Sequence, residues 1–125
     1  MIRSRYQIEI KERVKIELLF TLSLFGVASK RKINLALDDP SDANARISFF
    51  LKLIYCGAIN AWEYQRMEDA AMGDFPYSLL DVAEWSGNHP REFAEIIKGA
   101  SAAISGSDLP EGASEADAAE DVKKK

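Results

Sequence analysis

Residues 47–62 read ISFFLKLIYCGAINAW, the longest apolar run in the chain. Wound at about 3.6 residues per turn, Ile47, Phe50, Leu51, Ile54, Ala58, Ala61 and Trp62 gather on one side of a helix. Phe49, Leu53 and Cys56 form a smaller stripe on nearly the opposite side. A helix lying on a domain surface needs only one buried stripe. Two stripes require either a central helix sandwiched between layers or a helix that gives one face to a partner. Lys52 and Asn60 interrupt the run, which falls short of the roughly 20 apolar residues that span a bilayer.

The run sits inside a longer helix. Upstream, DDPSD at 38–42 offers Asp39 as N-cap, Pro40 where a missing N–H does no harm, and Asp42 in the first turn. Downstream the pattern continues through Met72, until Gly73-Asp74 and Pro76 end it. In the next stretch, PYSLLDVAEWSGNHPREFAEII at 76–97, Ser78 and Asp81 stand at capping-box spacing. Leu79, Leu80, Val82, Ala83 and Trp85 supply the apolar side of a short helix, Gly87 is its expected stop, and Pro90 opens another. Phe93, Ile96, Ile97, Ala100 and Ile104 line one face of that last helix. Such short helices are not stable alone, so they are predicted to close over the long one.

The N-terminal segment has the other period. In YQIEIK, Tyr6, Ile8 and Ile10 alternate with Gln7, Glu9 and Lys11, and beyond Glu12-Arg13 the alternation resumes with Val14, Ile16, Leu18 and Phe20. A β-hairpin is predicted, although its turn lacks the Asn-Gly or Asp-Gly of a tight primed turn. LSLFGVASK at 22–30 reads as a short helix with Leu22, Phe25, Gly26 and Ser29 along one side. Continued alternation through Leu24 leaves strand or helix open for residues 22–31. The fold class expected is therefore α+β, mostly α. It comprises an N-terminal β-hairpin, a short helix, one long central helix and two short C-terminal helices.

With 125 residues and 47% hydrophobic content, the chain supports one core, placed in a domain over 1–104. From residue 105 the composition turns to SGSDLPEGASEADAAEDVKKK, in which Leu109 and Val122 are the only large apolar residues. A segment of that kind cannot bury enough surface to offset its ordering entropy, so 105–125 is expected to be a disordered acidic tail ending in three lysines. The formal net charge is −4, the opposite of a general nucleic-acid binder. The charge is divided, however. Residues 1–32 carry eight basic residues against three acids, whereas Asp108, Glu111, Glu115, Asp117, Glu120 and Asp121 dominate the tail. One cysteine excludes an intramolecular disulfide, and the N-terminus lacks the apolar core of a secretory signal, so a soluble cytoplasmic protein without a membrane span is expected.

An enzyme needs a constellation, and the candidates are sparse. His89, the only histidine, falls in the corner between two helices, far in sequence from Cys56. Cys56 on an apolar stripe is read as a buried structural thiol. Asp38, Asp39 and Asp42 lack the glycine and terminal glutamate of a calcium loop and are explained by capping. Glu63, Glu68 and Asp69 read as a solvated helix end, and Trp62 and Trp85 as core residues before binding anchors. No catalytic, cofactor or metal residues are assigned. The chain is expected to be non-enzymatic, with Phe49, Leu53 and Cys56 as the candidate protein-binding surface.

The order of these features resembles the tail assembly chaperones of long-tailed bacteriophages, small proteins encoded just before the tape measure protein. The resemblance rests on QIEIKERVKIELLFTL leading into a helix, and on DVAEW (81–85), a short break, then FAEII (93–97). It covers roughly residues 6–104 and is a pattern of apolar spacing. It implies a protein of the host bacterial cytoplasm that coats the aggregation-prone tape measure protein and helps deliver major tail tube subunits onto it. It also implies a longer form made by ribosomal frameshifting, for which Lys123-Lys124-Lys125 would be the trace of a slippery codon run. The open edges of a lone hairpin predict a homo-oligomer. The competing reading is a small nucleic-acid-associated or regulatory protein that uses the basic N-terminal region and Lys30-Arg31-Lys32.

Overall fold

Strand β1 (Arg5–Ile10) and strand β2 (Val14–Leu19) form an antiparallel two-stranded sheet in which Tyr6 faces Leu18, Ile8 faces Ile16 and Ile10 faces Val14. This register places the alternating apolar residues of both strands on one face, and Ile8, Ile10, Ile16 and Leu18 are buried there. The computed structural model describes residues 3–11, 13–36 and 39–105. The turn is made without glycine: Lys11 and Arg13 both adopt left-handed backbone, at φ 49° and 67°, and the Arg13 N–H donates to the Lys11 carbonyl at 3.0 Å.

The chain leaves β2 into helix α1 (Ser23–Lys30), so the segment left open between strand and helix is helical, with turn residues at 22 and 31. Leu22, Phe25, Gly26 and Ser29 lie along one side of it, and that side is the exposed one. Leu24 and Ala28 point inward, while Leu22 and Phe25 are exposed. A helix that begins directly after a strand takes its facing from the strand's exit direction, which the sequence pattern does not contain. At the far end, the Ile33 N–H donates to the Ala28 carbonyl and the Lys32 N–H to the Ser29 carbonyl. This is a Schellman closure, with Lys32 at φ 59° where glycine is usual.

Helix α2 (Ala43–Glu68) is the centre of the molecule. Leu53, Ile54 and every residue from Cys56 to Ala61 are buried, so this segment is enclosed on all sides. β2 and α1 lie against it, and so does helix α3 (Leu79–Asn88). Of the two explanations for its two stripes, the sandwiched helix is the one observed. Its N-cap is Asp42, whose carboxylate accepts from the Asn44 N–H at 3.0 Å. Asp39 instead closes a turn before the helix, accepting from the Ser41 N–H and hydroxyl. The cap therefore lies three residues later than expected, and Pro40 stays outside the helix. The C-terminal end is also shorter: a 3-10 turn at Ala70–Met72 follows, then Gly73 at φ 72° and ψ −164°, a conformation open essentially to glycine alone.

Phe75 then enters the core and meets the rings of Trp62, Tyr55 and Tyr77 edge-on at 5.6, 6.0 and 5.5 Å between centroids. The Trp62 indole N–H donates to the Gly73 carbonyl at 2.9 Å, which fixes the bend. The capping box at the start of α3 is present in both directions, with the Asp81 N–H on the Ser78 hydroxyl and the Ser78 N–H on the Asp81 carboxylate. Val82 and Trp85 are buried, whereas Leu80 is exposed, one step off the inward face. Gly87 does not stop the helix. α3 continues to Asn88, and His89 forms the corner before helix α4 (Pro90–Ser105). Ile96, Ile97 and Ala100 of α4 join the same core cluster as the strands and α2. The tail expected to be disordered lies, beyond Ser105, outside the described residues.

Candidate functional site

The structure divides the three residues expected to form a binding stripe. Leu53 and Cys56 are buried in the core, and only Phe49 is partly accessible, with its ring edge-on to Phe50 at 5.6 Å. The second stripe is used by the protein's own layers. The Cys56 thiol is fully enclosed, and burial pushes its pKa up to about 11. A thiol so disfavoured as thiolate is a poor nucleophile. His89 is exposed on the α3–α4 corner, its ring stacked on Trp85 and its Nδ1 3.0 Å from the Trp85 carbonyl. Trp85 itself is core, as expected. Its indole N–H has no hydrogen-bond partner among the described residues.

The exposed apolar side chains stand elsewhere. Asn60, Tyr64 and Met67 follow one another on one face of α2 at helical spacing. Asn60 is buried where that face meets the end of β2. Its amide donates to the Leu19 carbonyl at 2.9 Å and to the Thr21 hydroxyl at 3.2 Å, and its carbonyl accepts from the Ser23 hydroxyl at 3.0 Å. Past this polar junction the face leaves the core: Tyr64 is exposed, and Met67 is 82% exposed. Leu22, 70% exposed, stands between the two residues whose hydroxyls bond Asn60, with Phe25 one turn further along α1. The β2–α1 junction and the outgoing half of α2 thus present large apolar groups that no part of the described chain covers. Among the described residues, each strand of the hairpin is paired on one side only.

Beside this region lies an open groove of about 520 Å³ between α1, α2 and the bend at Asp74. Gly26, Val27 and Ile59 form its apolar part, and Lys30, Arg31, Glu63, Arg66 and Asp74 its charged part. Glu63 is shared by Arg31 at 4.0 Å and Arg66 at 3.6 Å, and Arg66 also holds Asp74 at 2.8 Å. Glu63, read from sequence as part of a solvated helix end, is therefore the middle of an ion-pair chain across the groove. Pattern reading missed this site because its charges come from three separated segments.

No helix among the described residues is long and apolar enough to cross a membrane. No family model matches the chain, and the comparisons with curated proteins and with solved structures found no match.

Proposed function

We propose that this protein is a non-enzymatic assembly chaperone of the bacteriophage-tail type, working in the bacterial host cytoplasm. It would bind the apolar stripes of a tape measure protein and help recruit major tail tube subunits. The observation that carries this reading is a group of four of the six large apolar side chains exposed outside the core among the described residues: Leu22, Phe25, Tyr64 and Met67, with Ile47 and Leu80 standing elsewhere. Single exposed apolar residues are ordinary. Four of them on the two segments that flank one buried junction suit an amphipathic helix laid across the domain, with its apolar anchors set between α1 and the end of α2. The same element order carried the resemblance in the sequence. Self-association through the hairpin edges belongs to this reading, because among the described residues the outer edge of each strand has no strand partner.

The test is genetic and biochemical together. A very long, helix-rich reading frame should follow the gene, and a slippery heptamer should lie near the three lysine codons. Co-expression should yield a soluble complex of the two products. The double substitution Leu22→Glu and Met67→Glu should abolish the complex while leaving the denaturation midpoint near the wild-type value. A complex that survives the double substitution, or a gene with no such neighbour, refutes the proposal.

A further inference from the structure

We propose that the groove between α1 and α2 receives a carboxylate side chain of the partner, so that the partner is an amphipathic helix whose apolar stripe is flanked by glutamates. The inference rests on the chaperone reading for the kind of partner, and adds where its flank docks and what charge it carries. Its first support is Gly26, the fourth residue of the eight-residue helix α1. Glycine is the poorest helix former after proline, so a glycine inside a helix needs a reason. At Gly57 the reason is internal, because a Cβ there would run into the Phe20 ring. A Cβ built at Gly26 meets no atom within 4 Å, so no part of the described chain requires the missing side chain. Gly26 lines the groove, follows Phe25 on the exposed face of α1 and stands one turn from Leu22. A bare backbone at that point lets another chain approach closely beside the apolar anchors.

The second support is charge. The groove holds three cations, Lys30, Arg31 and Arg66, against two carboxylates, Glu63 and Asp74. Both carboxylates are engaged: Glu63 lies 4.0 Å from Arg31 and 3.6 Å from Arg66, and Asp74 lies 2.8 Å from Arg66. The cations are not saturated. Each guanidinium has five N–H donors, and Lys30 makes no ion pair among the described residues. This positive surplus surrounds a strip of Gly26, Val27 and Ile59, which suits the methylene stem of a glutamate. A lysine entering the same groove would meet carboxylates already paired and a cation that is not. A nucleic-acid backbone fits less well, because Glu63 and Asp74 would repel its phosphates and the neighbouring Leu22, Phe25, Tyr64 and Met67 call for an apolar surface.

Two synthetic peptides of about 18 residues, five turns of helix, are the probes. Both carry the same leucine stripe, flanked by glutamate in one and by lysine at the same positions in the other. Added to the isotope-labelled full chain at low salt, the glutamate peptide should bind several-fold more tightly and shift the Gly26, Val27, Ile59 and Glu63 amides. The net charge of −4 makes this a stringent result, since long-range attraction alone favours the lysine peptide. High salt should erase the difference. Gly26→Gln fills the groove with a better helix former, so it should keep or raise the denaturation midpoint and remove the preference. Lys30→Glu breaks no ion pair among the described residues and should remove or reverse the preference. Equal binding of the two peptides overturns the charge assignment alone and leaves the chaperone reading, whose own test is the co-expressed complex. Tighter binding of the lysine peptide, a preference that survives both substitutions, no binding of either peptide, or stronger shifts of the same amides by duplex DNA overturns the inference as well.

Discussion

The Asn60 amide donates to the Leu19 main-chain carbonyl across 2.9 Å, inside the core, where α2 meets the end of the sheet. Asn60 is the only buried polar residue in the described core, and its side-chain hydrogen bonds among the described residues all go to Leu19–Ser23. It holds the strand-to-helix corner against the central helix. Removing the side chain leaves buried groups unpaired, which costs more than the net value of the bonds themselves. Asn60→Leu should destabilise the fold by about 2–3 kcal/mol in urea denaturation. Asn60→Asp should be worse than Asn60→Leu at pH 7, since a carboxylate cannot donate to a carbonyl and would be charged in a dry site. If Asn60→Leu is neutral, the junction is not the device that sets the corner.

The apolar run that suggested the central helix contains Asn60, and the sequence shows it only as an interruption. Its role depends on which backbone carbonyl lies opposite, a long-range fact. The parts of the fold legible in the sequence are local ones: the period-2 hairpin, the capping box at Ser78 and Asp81, and Pro90 as a first helical residue. The parts that were not legible need tertiary contacts. Gly87 has the right position for a helix stop, but α3 runs on because Trp85 and the corner at His89 continue the packing. Leu53 and Cys56 look like a spare stripe because the sequence does not show that β2, α1 and α3 all pack against α2. The α1–α2 groove draws its charges from residues 30–31, 63–66 and 74, so no motif could have announced it.

Gly57 explains how closely that sheet end approaches. A Cβ built there would lie 2.5 Å from Phe20 Cε1 and 3.0 Å from two neighbouring ring atoms. Phe20 is itself fully buried and packed edge-on against Tyr6 at 5.8 Å, so the ring has little room to yield. Alanine is favoured over glycine in a helix by about 1 kcal/mol, but overpacking typically costs about 1–3 kcal/mol. Gly57→Ala should therefore be destabilising despite its better propensity. Combining it with Phe20→Leu should recover part of the loss, a coupling that a double-mutant cycle measures. Additive effects would show that the ring and the helix do not meet as described.

Lys32 offers the opposite case, a position where the native residue is not the best one. Its left-handed backbone closes α1, and a side chain there is penalised relative to glycine. Lys32 is exposed, and its side chain has no ion pair among the described residues. Lys32→Gly should stabilise the protein by about 0.5–1 kcal/mol, with the more flexible unfolded chain cancelling part of the gain. A lower melting temperature for the variant would exclude the Schellman closure.

The capping box gives a pH dependence with a definite sign. The Ser78 N–H donated to the Asp81 carboxylate, helped by Lys11 at 3.4 Å, holds its pKa below the ordinary aspartate value, against a smaller opposing effect of burial. A carboxyl whose folded pKa is depressed adds stability above its unfolded pKa and loses it as pH falls through the folded value. The contribution is thus complete above about pH 4 and fades below it. Asp81→Asn keeps an acceptor for the Ser78 N–H and removes the charge. It should be less stable than wild type at pH 7, and the gap should close near pH 2. A gap that is constant with pH would mean that the charge contributes nothing to the cap.

The last contrast separates core from contact surface. Leu53 is 3% exposed and belongs to the central cluster, so Leu53→Ala should cost about 2–5 kcal/mol through lost burial and an unfilled cavity. Met67 lies on the same helix but stands in solvent, and Met67→Ala should change stability by less than about 0.5 kcal/mol. Partner capture should reverse this order once stability is taken into account. Met67→Glu should weaken it directly, whereas Leu53→Ala should weaken it only in proportion to the unfolded fraction, a loss that cooling toward the temperature of maximum stability restores. Native-state thiol titration supplies an internal check. Cys56 should resist modification in the wild type and become reactive in Leu53→Ala, because local opening of the packing around α2 is its route to solvent. Rapid labelling of Cys56 in the intact protein would place the second stripe back on the surface and return Phe49, Leu53 and Cys56 as the binding face.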